Sequence, residues 1–354
     1  MTVRRPHVLV TDAWHPQVNG VVQTWTYVQR EIERMGHAFQ VIHTGGSRGV
    51  PAPGEPDLLL STEPRRHVRR ALAGVVPAAL HIATEGPLGH AARAIALREG
   101  WPFTTSYHTR FPEYLHARFR VPERWTYALL RRFHAPSRAI LVPTESMQAE
   151  LVQHRFANTR VWARGVDATR FAPGRRDALE LPRPIWLCAG RVAPEKNLDA
   201  FLSLDLPGSK IVIGDGPDAP RLQAAYPGAH WLGRRPHDEL ARYYDAADVF
   251  VFPSRTDTFG LVMLEAMACG CPVAAFPVTG PVDVVTHGVT GILDRDLHAA
   301  CRAALTLDRE QVRARAAQRT WRAIADRLLM LLAPIHPDAG RSPSAAAMTA
   351  QGIS

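Results

Sequence analysis

Short apolar runs alternate along this chain with glycine-rich or polar loops and with longer stretches of helical spacing. The first run, HVLVT (7–11), does not alternate in polarity, which is the pattern of a strand covered on both faces. After a loop reaching Gly20, VVQTWTYVQREIERM reads as a helix that stops at Gly36, and AFQVIHT (38–44) reads as a second strand. IATEGPLG (82–89), PFTTSYHT (102–109) and AILVPTES (139–146) each read as a strand running into a loop and then a helix. Strand, helix and strand in this order predict a parallel, doubly wound sheet.

The segment 164–184, rich in proline, glycine and charge, reads as a linker. Beyond it the pattern restarts with the strand PIWLCAGR (184–191), the helix KNLDAFLSL, the strand and loop SKIVIGDGP, the strand HWLG, the helix HDELARYYDAA and the strand DVFVFPS (248–254). Residues 309–333 read as one long terminal helix, and 338–354 as a disordered tail. The expected fold is α/β, with two facing Rossmann-like, doubly wound domains and a cleft between them. The first is expected over 1–168 and the second over 169–311, with a helix from about 312 to 333 packing back on the first. Ligands of such sheets bind beyond the carboxyl ends of the strands, so the loops that follow strands are where chemistry is expected.

A chain of 354 residues has room for two cores. No apolar run nears the roughly 18 residues of a membrane span, and MTVRRPHVLVTDAW lacks a signal-peptide layout. The cysteines Cys188, Cys269, Cys271 and Cys301 form neither a disulfide framework nor a metal-binding spacing, which points to a reduced, cytosolic protein. The net charge of +9 is uneven: residues 1–180 hold 24 arginines against 15 acids, and the rest of the chain is balanced. The first half therefore suits a polyanionic partner such as nucleic acid, anionic lipid or an acidic acceptor.

Three loops of the second half carry candidate chemistry. GRVAPEKN (190–197) places Arg191 and Lys196 after a strand, two cations suited to a diphosphate. Lys196 and Lys210 are the chain's two lysines. GDGP (214–217) is a short glycine turn that serves a ligand or simply a tight bend. In DTFGLVMLEAMACGCPVAA (257–275), Glu265 is the one polar residue between Leu261 and Ala268, and a carboxylate in so apolar a helix needs a partner. Thr258, Phe259, Gly260 and Leu261 form the start of that helix, where free N–H groups and the positive dipole end suit an anion. A ligand with phosphates at the helix start and hydroxyl-rich sugars on both sides would satisfy Asp257 and Glu265, which is the shape of a nucleotide-sugar. The alternative is that Glu265 caps or pairs with an arginine in the core.

GRVAPEKN, GDGP and PSRTDTFGLVMLEAMACGCPV together resemble the retaining GT-B glycosyltransferases of glycosyltransferase family 4, over most of the chain from Thr11 to about Leu332. The strongest element is an acid followed eight positions later by glutamate, here Asp257 and Glu265. The resemblance implies that Glu265 holds the ribose hydroxyls, that Asp257 contacts the transferred sugar, and that Arg191 and Lys196, with Gly190 and Gly214, surround the diphosphate without a metal or other cofactor. Family members more often have glutamate first, so the shorter Asp257 is a departure. TDAWHPQVNGVVQTW resembles the family's first acceptor-side loop, with Asn19, and with Gly20 near the diphosphate. TTSYHTRFPEYL resembles the segment that carries a histidine near the reacting centre, here His108 between Tyr107 and Arg110. Thr84 and Glu85 are further acceptor-side candidates, and Arg164 stands where asparagine is often found. The implied reaction is transfer of a hexose or uronic acid from a UDP- or GDP-sugar with retention of configuration.

RRHVRRAL (65–72) and ARFRVPERWTYALLRRFH (117–134) mix arginines with apolar residues. Arg65, Arg66, Arg69, Arg70, Arg118, Arg120, Arg124, Arg131 and Arg132, with Trp125, Leu129, Leu130 and Phe133 at helical spacing, suit an amphipathic surface on an anionic bilayer. The expected acceptor is then a lipid such as diacylglycerol at the cytoplasmic face of the inner membrane, with the protein peripheral there. A soluble glycan acceptor, a nucleotide-sugar epimerase and a nucleic-acid-binding protein are the alternatives, the last without any recognisable nucleic-acid module. The sequence sets no oligomeric state.

Overall fold

The computed structural model describes residues 5–17, 19–45, 48–52, 55–174 and 176–335. The expected tail 338–354 and the side chain of Arg118 lie outside the described residues. The first half begins with β1 (His7–Val10), α1 (Gly20–Arg34) and β2 (Phe39–Ile42), then a hairpin of β3 (Gly49–Ala52) and β4 (Glu55–Ser61). It continues through α2 (Pro64–Ala71), β5 (Ala79–Ile82), α3 (Pro87–Arg98), β6 (Phe103–Ser106), α4 (Phe111–Phe119) and α5 (Glu123–His134). It closes with β7 (Ile140–Val142), α6 (Glu145–Gln153) and β8 (Thr159–Val161).

The second half runs β9 (Ile185–Ala189), α7 (Asp199–Leu202), β10 (Ser209–Ile213), α8 (Ala219–Ala225), β11 (His230–Gly233) and α9 (Leu240–Ala246). It then runs β12 (Val249–Phe252), α10 (Leu261–Ala268), β13 (Val273–Ala275), α11 (Pro281–Val284), β14 (Gly291–Leu293) and α12 (Leu297–Ala304). Two last helices follow, α13 (Arg309–Ala316) and α14 (Trp321–Leu331).

Two parallel six-stranded sheets form, in the orders β2-β1-β5-β6-β7-β8 and β11-β10-β9-β12-β13-β14. This is the two-domain α/β architecture expected from the alternating pattern. Strand order reverses between β1 and β5 in the first sheet and between β9 and β12 in the second. Loops leaving the two strands of such a switch diverge to opposite faces and leave a crevice, so each sheet has one position built to hold a ligand. Buried strands fill the centre: Leu9, Leu80, Ile82, Trp186, Leu187 and Phe250 are all inaccessible to solvent.

The expected single helix over 309–333 is two. Thr320 accepts a hydrogen bond from Ala323 N and caps α14, and the Arg319 carbonyl turns away to receive Val166 N at 2.8 Å. That long-range pairing breaks a segment whose residues would otherwise continue the helix. α14 packs on α1, with Trp321, Ala325 and Leu328 in one core with Leu9, Trp25, Val28 and Trp162. The connection after β8 and the return before α14 therefore cross side by side. At Gly165 a Cβ would lie 2.6 Å from Trp321 N and 2.8 Å from the Thr320 carbonyl carbon, so the crossing has no room for a side chain there.

The segment 117–134 is also divided. Arg120 adopts a left-handed conformation (φ 58°) and ends α4, and α5 starts after Pro122. The expected stripe splits across two faces of α5: Leu130 and Phe133 are buried with Thr126, Tyr127 and His134, whereas Trp125 and Leu129 are 62% and 60% exposed. The linker reading of 164–184 also needs amending, because Phe171 is fully buried in the core of the second domain. The helix expected from Lys196 onward is a 3-10 turn, Pro194–Lys196, followed by the short α7.

Candidate functional site: a cleft between two helix starts

The β9/β12 switch point assembles the cationic side of the cleft. Gly190 and Gly214 take φ values of 146° and 140°, and a Cβ on Gly214 would stand 1.8 Å from the Gly190 carbonyl oxygen. The glycine of GDGP is thus needed so that two strand-end loops can touch backbone to backbone. Asn197, left-handed at φ 55°, donates from Nδ2 to the Pro253 carbonyl at 3.0 Å and ties the loop after β9 to the loop after β12. Across that junction Lys196 Nζ donates to Asp257 Oδ1 at 2.6 Å. Asp257 Oδ2 is buried without a hydrogen-bond partner. Burial pushes the Asp257 carboxyl up, but the charge and hydrogen bond of Lys196 and the Ser254 hydroxyl outweigh it and hold it below the ordinary carboxylate value. Arg191, next to Gly190, is exposed.

Three residues past Asp257 the chain turns at Gly260 (φ 83°), where a Cβ would meet Phe252 Cζ at 2.9 Å and Met263 Cε at 2.7 Å. Gly260 stands at the N-cap of α10 without a side chain to cap it, so among the described residues the positive end of this helix dipole is left for a ligand. Opposite stands the start of α1: a Cβ on Gly20 would lie 3.7 Å from Leu261 Cδ1. Asn19 caps that helix, its Oδ1 accepting from Val21 N and Val22 N at 3.0 Å. Thr258 Oγ1 donates to the His108 carbonyl at 3.0 Å and joins the domains beside them, while Phe259 is buried in the core of the second domain. Two helix starts and an ion-paired lysine converge on one place, an arrangement that attracts and orients a polyanion.

Glu265, one turn into α10, has two protein partners, and neither is an arginine. Its Oε1 accepts from His237 Nε2 at 2.8 Å and its Oε2 from the Tyr244 hydroxyl at 3.2 Å. Burial, then the charge of Glu265 and its hydrogen bond, raise the Tyr244 hydroxyl well above its ordinary value, so it stays a donor. Each carboxylate oxygen keeps a lone pair for a further donor. Glu265 lines a small hollow, open to the cleft, with Tyr27, Gly165, Asp167, Leu261 and Trp321.

The first sheet's switch point faces this assembly. Asp12, just after β1, is buried and exchanges hydrogen bonds with Thr84 after β5: its N–H donates to Thr84 Oγ1, which donates to Asp12 Oδ2, both at 2.8 Å. Its Oδ1 accepts from Leu88 N at 2.9 Å and caps α3. Burial raises the Asp12 carboxyl, offset in part by these hydrogen bonds. Glu85 turns inward to His134 Nε2 at 3.1 Å, and Tyr107 is fully buried with its hydroxyl unpartnered. Arg110 is held by Glu150 at 2.8 Å and Glu113 at 3.3 Å. Glu85 and Arg110 are thus paired within the first domain, and Tyr107 is buried there.

His108 is partly exposed, with each ring nitrogen facing a donor: Trp25 Nε1 lies 3.1 Å from Nε2, and Arg164 Nη2 lies 3.0 Å from Nδ1. Burial, then the charges of Arg164 and His81, hold its pKa well below the usual histidine value. The neutral ring has one acceptor nitrogen for these two donors. Arg164 itself is buried over the Trp162 ring, donates to the Trp162 carbonyl at 2.6 Å, and is pushed down to about 9 by burial.

The structure thus gathers Gly20, His108, Gly190, Lys196, Gly214, Asp257, Thr258 to Leu261 and Glu265 around one cleft. Sequence reading missed Asp12, His237 and Tyr244. Asp12 was visible as an acid directly after a buried strand, whereas His237 and Tyr244 reach Glu265 from outside its helix, 28 and 21 positions away.

A two-domain α/β fold with an anion cradle at facing switch points suits a ligand that carries a diphosphate. Residues 18–170 match the family described as Glycosyltransferase Family 4, and residues 183–308 match Glycosyl transferases group 1. The chain is 33% identical over 312 residues to the GDP-mannose-dependent alpha-mannosyltransferase of Mycobacterium tuberculosis, covering 80% of this chain and 82% of that one. It is 33% identical over 270 residues to the sulfoquinovosyl transferase SQD2 of Arabidopsis thaliana, covering 70% of this chain and 52% of that one. Sucrose-phosphate synthase of Thermosynechococcus elongatus shares the fold, with a TM-score of 0.76 at 22% identity over 93% of this chain and 98% of that one. The chain belongs to the family 4 glycosyltransferases and has their GT-B architecture.

Proposed function

We propose that this enzyme moves a hexose or uronic acid from a GDP- or UDP-sugar to a lipid acceptor such as diacylglycerol at the cytoplasmic membrane face, with retention and without a metal ion. The observation that carries the donor half is the meeting of the α1 and α10 starts beside the Lys196–Asp257 pair. A diphosphate placed there gains both helix dipoles and competes with Asp257 for the Lys196 ammonium. Charge developing on the departing diphosphate then meets fixed positive groups, Arg191 among them, as the acceptor hydroxyl attacks the sugar from the same face. Glu265, with a free lone pair on each oxygen, suits a ribose diol. The mannosyltransferase relative favours GDP-mannose among the donors.

The lipid half rests on the surface of the first domain. Phe119, Trp125 and Leu129 are 49%, 62% and 60% exposed, beside the exposed Arg120, Arg124 and Arg132. Val68 of α2 and Phe133 of α5 enter the same core as α3, so the exposed Arg65, Arg66, Arg69 and Arg70 cover the same face of the sheet. Arginines around protruding aromatic and aliphatic side chains favour an anionic bilayer. Arg131 is not part of this face; it donates to the His154 carbonyl at 3.0 Å. Among the described residues no helix is long and apolar enough to cross a membrane.

Purified protein incubated with diacylglycerol in anionic vesicles and a panel of GDP- and UDP-sugars, without added metal, should yield a glycolipid by mass spectrometry, and Glu265→Ala should abolish it. Transfer only to soluble glycans would overturn the lipid half, and no turnover or binding of any nucleotide-sugar would overturn both.

A further inference from the structure

Glu265 belongs to a chain of hydrogen bonds that crosses between the domains. Tyr27, on α1, stacks on Trp321 of α14 with ring centroids 5.0 Å apart. Its hydroxyl accepts from Arg170 Nη1 at 3.3 Å. The same guanidinium nitrogen lies 3.2 Å from His237 Nδ1, and His237 Nε2 lies 2.8 Å from Glu265 Oε1. A guanidinium is a donor only, so Nδ1 facing it must accept, and the imidazole proton then sits on Nε2, aimed at the carboxylate. Phe171, 5.2 Å away at 66°, packs against the imidazole and restrains its plane. The tautomer and the orientation of His237 are thus fixed from outside the α10 helix.

We propose that His237 is a positioning residue for the donor: held by Arg170, it orients the Glu265 carboxylate so that the free lone pairs of both oxygens meet the vicinal ribose hydroxyls. This rests on the nucleotide-sugar reading above. A carboxylate free to rotate presents one oxygen well and the other badly, whereas one pinned through Oε1 by His237 and through Oε2 by Tyr244 presents both. Because Arg170 also holds Tyr27, the orientation of Glu265 depends on the first domain standing where this structure places it.

The test is calorimetric titration of the full chain with GDP and UDP and with their 2′,3′-dideoxy counterparts, alongside donor KM and kcat. Wild type should prefer the diol nucleotide. His237→Phe keeps the ring volume, removes the hydrogen bond, and should weaken diol binding about tenfold while barely changing dideoxy binding, with donor KM rising more than kcat falls. His237→Gln, which keeps a donor toward Glu265, should recover most of the preference. Arg170→Met should show the same loss in smaller measure, and it carries the test if His237→Phe fails to fold. Equal weakening of diol and dideoxy binding would mean a merely structural role and overturn the proposal. Wild-type binding without diol preference would also overturn it while leaving the donor reading intact; no nucleotide binding at all would remove the donor reading itself.

Discussion

Replacing Lys196 by methionine keeps most of the side chain's length and removes its charge. Asp257 then loses its 2.6 Å partner on Oδ1 while Oδ2 already has none. Removing one partner of a buried pair costs roughly 3–5 kcal/mol. The two side chains are 28% and 21% exposed, so water recovers part of that. We expect a loss of about 1–3 kcal/mol at neutral pH, or about 2–6 °C in Tm. The pH dependence gives the signature. In the wild type the carboxyl is held below its ordinary value, so the pair's stabilisation is complete above that ordinary value and lost as pH falls through the folded one. In Lys196→Met only burial acts strongly, the carboxyl takes up a proton more readily, and the deficit against wild type should shrink from pH 7 towards pH 4.5. Adding Asp257→Asn should restore most of the Tm but none of the activity, because the loss of a fixed positive group costs about 10²–10³ in kcat. Thermal denaturation between pH 4.5 and 8, with initial rates, measures both. A Lys196→Met protein as stable as wild type at pH 7, or a double variant no more stable than the single one, would refute the reasoning.

Three further outcomes are expected. Gly214→Ala places a methyl 1.8 Å from the Gly190 carbonyl oxygen at φ 140°, so the variant should lose several degrees in Tm or fail to accumulate in soluble form; an unchanged Tm would contradict the close approach. Trp125→Ala with Leu129→Glu should abolish sedimentation with anionic vesicles at unchanged Tm, since both side chains are mostly exposed; undiminished binding would exclude this face. Burial, with the charges of Arg164 and His134, holds the His81 imidazole down at about 3, and the neutral ring is satisfied by Thr104 Oγ1 at 2.7 Å and Ser106 Oγ at 2.8 Å. The unfolded chain therefore binds the proton first, and stability should fall as pH drops from about 6.5 towards 3, with His108 and His7 acting in the same direction. Urea midpoints equal at pH 7.5 and pH 5 would contradict this.

The central strands were legible because parallel strands covered on both faces leave continuous apolar runs, and Glu265 was legible because it interrupts one. The helix break at Thr320 was not: RARAAQR, which leads up to it, consists of good helix formers, and the break is made by a carbonyl that finds Val166 far along the chain. The β3–β4 hairpin left no alternating pattern to read. The two faces of α5 could not be assigned in advance because its apolar residues spread over about half of its circumference, and only packing decides that Leu130 turns in and Leu129 turns out. His237 lay in RRPHDEL, which reads as the polar entrance to a helix; its partners come from other elements, and local spacing carries no trace of them.

The side-by-side crossing at Gly165 and Thr320 has a mechanical consequence. The Val166–Arg319 hydrogen bond clasps the two connections at one point, so separating the halves there must break it. That clasp lies beside the Glu265 hollow, which Gly165, Val166 and Trp321 help to line. It also makes the first half discontinuous in sequence. Expressed alone, residues 1–168 would expose the face of α1 that Trp321, Ala325 and Leu328 cover, and should aggregate unless α14 is supplied in trans.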